Sequence, residues 1–562
     1  MKSIDGKIFK QMVISGSNNL YNYYPEVDAL NVFPIPDGDT GMNMNLTMTS
    51  AAKLIANRND ESIYAIAKGV AEATFNGSRG NSGVITSQIF KGISVGLQDK
   101  KVATAQDLAD AFVSAAKVAY KGVKTPVEGT ILTVIREASA HLASVVKPHT
   151  SVEEAFQILV DEAYASLERT PNLLPVLKEV GVVDSGGAGL CKILDGMNDA
   201  LLGNFVERNE QSVTEVGTAA QTQFSEDEEF GYCTEFILRL GPDEEKKTFN
   251  KNRFINVLNS HGNSLVCVQD EDLVKVHVHT LKPGDIFNYA QQFGEFVKMK
   301  CENMSEQHHE ILVNEANGGP EMAAAKLKSA PLKAPKAKEK EKDFALIATS
   351  SGKGIDELFK EVGVTEIVSG GQTMNPSIKD FLDAIERANA KVIYIFPNNS
   401  NIILAANQAK ESLAGKKDVY VIPTKTINQG VVAAMNFNSD LSKEDNFEVM
   451  NEAMTMVKSG AITFSIKDTT INGVEIKKDE FMAIKGTKEI LSCHKDKIDA
   501  LFALLDNLID DDSAICTILT GEDISEKEFE EIQNKFVEKY KLVDLDIRNG
   551  GQPVYSFLVG VE

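Results

Sequence analysis

The sequence predicts a multidomain protein: an all-α N-terminal helical barrel or bundle, an α+β middle domain and an α/β C-terminal domain. Three observations carry this prediction. The chain has 562 residues, more than one hydrophobic core usually organises. From residue 5 to about 203 its apolar residues recur almost throughout with a helical period. From 343 onward short apolar runs alternate with helical stretches, the pattern of α/β folds.

In the N-terminal region Ile8, Met12, Ile14 and Leu20 start the first amphipathic stretch. Others follow near 42–56, 61–75, 83–97, 105–121, 129–145, 151–168 and 187–202. Breakers separate them: Pro34 and Pro36, the run Gly77 to Gly83, Pro126, Pro148, Pro171 and Gly186-Gly187. Thr150-Ser151-Val152-Glu153 reads as a helix start with an acidic first turn. The expectation is about eight helices and no strand in 1–203.

Residues 204–228 are polar and acidic and read as a solvated linker. In the middle domain, 229–318, Tyr232 to Leu240 and Leu265 to Val278 alternate like strands, with Lys251 to Asn259 helical between them. Residues 319–342 are rich in Lys, Ala and Pro, the composition of a tether. In the C-terminal domain, 343–562, strands are expected at Phe344 to Ala348, Glu366 to Val368, Val392 to Phe396, Val419 to Ile422, Ala514 to Leu519 and Pro553 to Val559. Turns rich in Gly, Asn and Ser follow several of them: Ser350 to Gly354, Gly370-Gly371-Gln372-Thr373-Met374-Asn375-Pro376-Ser377 and Asn398 to Asn401. In open α/β sheets such turns lie where ligands bind.

Bulk properties exclude some classes. A net charge of −23 argues against general nucleic-acid binding, which needs a cationic face. No apolar core of a signal peptide follows Met1-Lys2-Ser3-Ile4. No segment reaches the ~18 uninterrupted apolar residues of a membrane helix. The six Cys are scattered rather than spaced as a disulfide framework. The expectation is a cytoplasmic protein without an integral membrane segment.

The chemistry concentrates in Asn31-Val32-Phe33-Pro34-Ile35-Pro36-Asp37-Gly38-Asp39-Thr40-Gly41. Alone, Asp-Gly-Asp is a common turn at a helix start. Here two prolines stiffen the approach, and Asp28 and Asn31 add oxygens, a set that suits a hard cation such as Mg²⁺. A second Gly-rich turn, Arg79-Gly80-Asn81-Ser82-Gly83, opens another helix, where backbone N–H groups and the helix dipole favour phosphate. Arg79 is either a phosphate fork or a surface cation. Pro126 to Thr130 and Val183 to Gly187 also sit at helix boundaries. In a bundle of alternating helices all four loops fall at one end.

These motifs together resemble the L-subunit domain of dihydroxyacetone kinases. The order of an all-α domain, a mixed middle domain and a DegV-like terminal domain resembles the catalytic subunit of bacterial fatty acid kinase, over essentially the whole chain. The resemblance implies an ATP site with two Mg²⁺. Asp37 and Asp39 would hold the metals, with Asn31 where the dihydroxyacetone kinase pattern has a further Asp and Asp28 as a fallback; Arg79 would act catalytically. Thr40, Asn43, Gly80, Asn81, Ser82, Gly83, Thr130 and Asp184 would contact the nucleotide. A separate DegV-like protein would present a fatty acid for conversion to acyl phosphate. A fatty acid carboxylate has already lost its proton at neutral pH, so no His base is needed. The alternatives are a small-polyol kinase subunit of the dihydroxyacetone type and a non-catalytic nucleotide-sensing scaffold.

Two further expectations concern the other domains. Lys275-Val276-His277-Val278-His279-Thr280 puts two imidazoles on one strand face, and Cys233 with His308 or His309 completes a set suited to structural Zn²⁺. The plainer alternative is a half-exposed strand with Cys233 in the core. The C-terminal domain lacks a clear match to the acyl-carboxylate motif of DegV proteins. It is expected to serve protein–protein contact, either dimerisation into a homodimer or docking of the acyl-binding partner.

Overall fold

The computed structural model describes residues 1–32, 38–209, 232–241, 249, 251–259, 263–270, 273–280, 282–303, 341–371 and 374–562. Residues 1–218 with 339–562 form one compact unit and 219–338 a second.

The N-terminal part of the first unit holds nine helices among its described residues: α1 (Gly6–Ala29), α2 (Thr40–Ile55), α3 (Ile63–Gly77), α4 (Gly80–Gly96), α5 (Ala105–Lys121), α6 (Ile131–Val145), α7 (Val152–Leu173), α8 (Pro175–Val180) and α9 (Ser185–Leu201). From α1 to α7 each packs on the next, and α9 returns to α1, so the helices close a ring around one apolar core. The starts are set by local chemistry. Ser62, Thr104 and Ser151 accept hydrogen bonds from the backbone two to three residues into their helices. The closing contact is tight: a Cβ on Gly196 of α9 would lie 2.6 Å from the Ser15 carbonyl and 2.9 Å from Gly16 Cα.

Three details depart from the sequence expectation. Ser3–Ile4 and Ala103–Thr104 form a short antiparallel pair, β1 and β2, too brief to leave a periodic signal. Pro171 lies inside α7 instead of ending it. A proline there removes the N–H that would bond the Leu167 carbonyl; the Thr170 hydroxyl donates to that carbonyl instead, at 2.7 Å. Finally, the polar stretch after 203 begins as a strap along α1. Asn18 Nδ2 donates to the Val206 carbonyl at 3.0 Å, Val206 N to Ser15 Oγ at 3.0 Å, and Asn22 Nδ2 to the Glu207 carbonyl at 2.9 Å.

The second unit carries an antiparallel sheet of β3 (Tyr232–Leu240), β4 (Asn263–Asp270), β5 (Leu273–Thr280) and β6 (Gly294–Asn303). Helices Lys251–Asn259 and Pro283–Ala290 contribute to its core around Phe236, Phe254 and Ile286. The alternating stretch 265–278 contributes to two neighbouring antiparallel strands, β4 and β5.

The C-terminal part of the first unit opens with a four-stranded parallel sheet: β7 (Lys342–Ser350), β8 (Glu366–Ser369), β9 (Ala390–Phe396) and β10 (Asp418–Val421), in the order β10-β9-β7-β8. Side chains alternate along β7. Ala345 and Ile347 face one helical layer, and Leu346 and Ala348 face the other. Val84 of α4 is buried in the first layer, so the N-terminal helices pack directly on this sheet region. A six-stranded mixed sheet follows. Its strands near 515–521 and 555–561 were expected; those at Lys458–Phe464, Phe481–Lys485, Glu489–His494 and Asp544–Gln552 were not.

Two consequences for stability follow. Gly196→Ala should cost about 1–3 kcal/mol by forcing α1 and α9 apart, read as a lowered denaturation midpoint at unchanged m-value. Thr170→Val keeps the shape but leaves the Leu167 carbonyl without its donor and Asp184 N without its acceptor, and should cost about 1–3 kcal/mol. An unchanged melting temperature in Thr170→Val would show that the Pro171 gap needs no compensation.

Candidate active site

Four helix starts meet at one end of the ring: those of α2, α4, α6 and α9. Each presents N–H groups that its own helix cannot satisfy. Two carboxylates serve three of them. Asp28 Oδ1 accepts from Gly41 N at 2.6 Å and lies 3.4 Å from Met42 N, at the start of α2. Burial pushes the Asp28 carboxyl up to about 7 against the pull of those two N–H groups. Asp184 caps α9 through Gly187 N at 2.7 Å and also accepts from Ile131 N, at the start of α6. Burial raises it to about 6. The start of α4 has no side-chain cap. It opens on Gly80 at φ +57°, where a Cβ would collide with the Asn43 amide. An uncapped helix start lined by Gly80, Asn81, Ser82 and Gly83 is a ready anion position.

Side-chain hydrogen bonds tie the loops together. Thr40 Oγ1 donates to Asn31 Oδ1 at 2.8 Å, and Ser185 Oγ to the same oxygen at 3.3 Å. Ser82 Oγ donates to the Thr40 carbonyl at 3.2 Å. The Asn31 amide thus joins the starts of α2 and α9, and Ser82 adds that of α4. Asp39 precedes α2 but makes no side-chain cap bond to it.

The C-terminal part reaches into this end. Asn375 Nδ2 donates to Asp39 Oδ2. Arg79 Nη1 donates to the Asn375 carbonyl at 2.9 Å and lies 3.8 Å from Asp380. Asn81 Nδ2 lies 3.4 Å from Asn401 Oδ1. Lys467 Nζ donates to the Asn31 carbonyl at 2.8 Å, and burial lowers its pKa. A cavity of about 290 Å³ runs from Asn31, Asp39 and Thr40 to the carboxyl ends of β7, β8, β9 and β10, where Thr349, Gly370, Asn398 and Asn428 line it.

Among the residues singled out from sequence, the structure brings Asn31, Asp39, Thr40, Asn43, Arg79 and Gly80 to Gly83 together. Thr130 and Asp184 stand at the same end, but both side chains serve helix starts. Thr130 Oγ1 donates to the Val127 carbonyl at 2.7 Å and caps α6. Glu128 is held by Thr133, Tyr120 and Arg136. His141 and His149 are exposed, and His141 lies ten residues along α6 from its start, about 15 Å away. Asp37 falls outside the described residues. Asn375, Lys467 and the capping role of Asp28 escaped the sequence reading; the Gly370 to Ser377 turn was the one signal pointing to Asn375.

The side chains of Cys233, His277 and His279 fall outside the described ones, so the expected zinc set gains no support here. Cys233 stands opposite His279 and Glu235 opposite His277 in the register of neighbouring strands. His308 and His309 lie outside the described residues. Among the described residues no group of three or more His, Cys, Asp or Glu side chains gathers to hold a metal. Nor is any helix there long and apolar enough to cross a membrane.

Comparison with known proteins places these features. Residues 34–199 match the DAK2 domain model. Residues 229–311 match the middle domain and 345–562 the C-terminal domain of the FakA-like proteins of fatty acid kinase. An uncharacterized protein of Staphylococcus saprophyticus is 42% identical over 568 residues, with both chains covered in full. Protein YloV of Bacillus subtilis is 42% identical over 571 residues, again in full. Among solved structures, the dihydroxyacetone kinase of C. freundii in complex with AMP-PNP and Mg²⁺ matches 34% of this chain and 34% of its own, at 19% identity and a TM-score of 0.28. With three family models in sequence along it and full-length relatives at this identity, the chain belongs to the FakA-like family of fatty acid kinase proteins.

Proposed function

We propose that the chain is an ATP- and Mg²⁺-dependent phosphotransferase whose acceptor is the carboxylate of a fatty acid, presented by a separate DegV-like acyl-binding protein. The observation that carries it is the meeting of the uncapped start of α4 with Asp39, Thr40 and Ser82 at one end of the ring. Family membership supports the kinase class.

The residues present suit the groups this reading requires. Asp39 offers a carboxylate that makes no cap bond to α2, and beside it Asn375 offers a buried amide oxygen without a hydrogen-bond partner among the described residues. Hard oxygen donors of this kind, few in number, suit Mg²⁺ that keeps water and phosphate as its other ligands. Bound there, the metal supplies charge neutralisation on the phosphates. The backbone N–H groups of Gly80, Asn81 and Ser82 would hold phosphate oxygens, and Ser82 fixes that turn to Thr40. Lys467 adds positive charge at Asn31, where its Nζ donates to the backbone carbonyl.

The reaction balances without a protein base. A carboxylate oxygen forms a bond to the γ-phosphorus, the bond from that phosphorus to the leaving ADP oxygen breaks, and acyl phosphate and ADP result with no proton to move. The absence of imidazoles at this end of the ring among the described residues suits that chemistry. Positioning and electrostatics then carry the rate.

Incubated with ATP, Mg²⁺, oleate and a DegV-like acyl-binding protein, the chain should produce acyl phosphate, trapped as the hydroxamate. No product at saturating substrates, or transfer to dihydroxyacetone or glyceraldehyde instead, overturns the acceptor assignment. Asp39→Ala should lower turnover by about 10²–10³-fold, and Asp37→Ala should do the same. Both variants should keep a cooperative unfolding transition, which separates lost chemistry from lost fold.

A further inference from the structure

The Gly370 to Ser377 turn belongs to the C-terminal part, yet its Asn375 sits among the residues of the nucleotide loops. The side chain is 1% exposed. Its amide nitrogen donates to Asp39 Oδ2, and its backbone carbonyl accepts from Arg79 Nη1 at 2.9 Å. A Cβ on Gly80 would come within 3.1 Å of that amide nitrogen, so the amide lies directly over the first residue of α4. The turn is fixed from both sides. Arg79 and Ser377 form a backbone bridge, Ile378 N donates to the Ser78 carbonyl at 3.3 Å, and Ser377 caps the following helix, Ile378–Ala388, with Asp380 closing a capping box.

Two features separate this arrangement from ordinary domain packing. A carboxylate with one oxygen held by an amide presents its other oxygen in a fixed direction, which is what a metal ligand requires of its outer partners. And Asn375 Oδ1 is buried with no hydrogen-bond partner among the described residues. Buried polar atoms are rarely left so; one beside a candidate metal ligand suits a water molecule on the metal.

We propose that Asn375 is a positioning residue of the nucleotide–metal site, supplied across the fold by the C-terminal part. It orients the Asp39 carboxylate through its N–H and restrains Arg79 through its carbonyl. The site is then composite, and the N-terminal ring alone lacks one of its members. The proposal rests on the Mg²⁺–nucleotide reading of the site and is independent of the acceptor.

The test measures binding of a fluorescent ATP analogue to the full chain as Mg²⁺ is titrated, with no acyl-binding protein present. Outer-shell substitutions typically weaken metal affinity by about 10–100-fold, and Asn375→Ala should raise the half-maximal Mg²⁺ concentration by that factor. Asn375→Asp keeps the volume and replaces the donor by a second carboxylate; it should shift in the same direction. Ser525→Ala removes the cap of a different helix of the C-terminal part, Glu526–Lys539, and should lower the melting temperature without moving the Mg²⁺ midpoint. A midpoint unchanged or lowered in either Asn375 variant, or raised equally by Ser525→Ala, overturns the positioning role. A wild-type chain that binds no nucleotide at any Mg²⁺ concentration sinks the site reading itself, and this role with it.

Discussion

Helix starts gathered in one place are an electrostatic problem before they are a binding site. Four of them converge at one end of the N-terminal ring, each with unsatisfied N–H groups and the positive end of a helix dipole. The fold answers with two enclosed carboxylates, Asp28 and Asp184, both held above the usual carboxylate range by burial. The fourth start, at Gly80, gets no such group. The rest of the site depends on this asymmetry. Compensating three ends leaves one position for negative charge, and the loops are tied so that Asp39 and Thr40 lie beside it.

Much of this was legible in the sequence because capping is local. Ser151 lies where the acidic first turn indicated, and the Gly-rich turn at 79–83 leads into a helix, which starts at Gly80, three residues before the expected stretch 83–97. The end of α7 was not legible. Pro171 argues for a break, and only the hydroxyl of its neighbour, Thr170, shows why the helix continues. Asp28 was read as a spare metal oxygen, yet its partners are the backbone N–H groups of Gly41 and Met42. Local spacing gives the residue types near a motif but not which of them a helix dipole claims first.

The C-terminal part was harder for a different reason. Its parallel strands are short, apolar and bounded by glycine, so they register in the sequence. The antiparallel strands of the mixed sheet carry polar and charged residues, as in Lys458–Phe464 and Glu489–His494, and leave little pattern. The pairing of Asn375 with Asp39 spans 336 residues of chain. No periodicity reports a contact of that range. The turn that contains Asn375 reads as an ordinary βα loop until the helices of the N-terminal ring are placed against it.

The strap at 204–209 bears on where this ring can be cut. By helix boundaries the ring ends with α9 at Leu201, and a truncation just beyond it looks generous. Yet Asn18, 7% exposed, has its amide occupied by the Val206 carbonyl, and Asn22 by that of Glu207. Arg208 lies over the Tyr21 ring, 4.6 Å from its centroid. Cutting at 203 would strip one flank of α1, the helix that closes the ring against α9, and leave its row of amides to water. A piece that keeps this flank of α1 covered therefore runs at least through Asn209, although the helical period stops well before it.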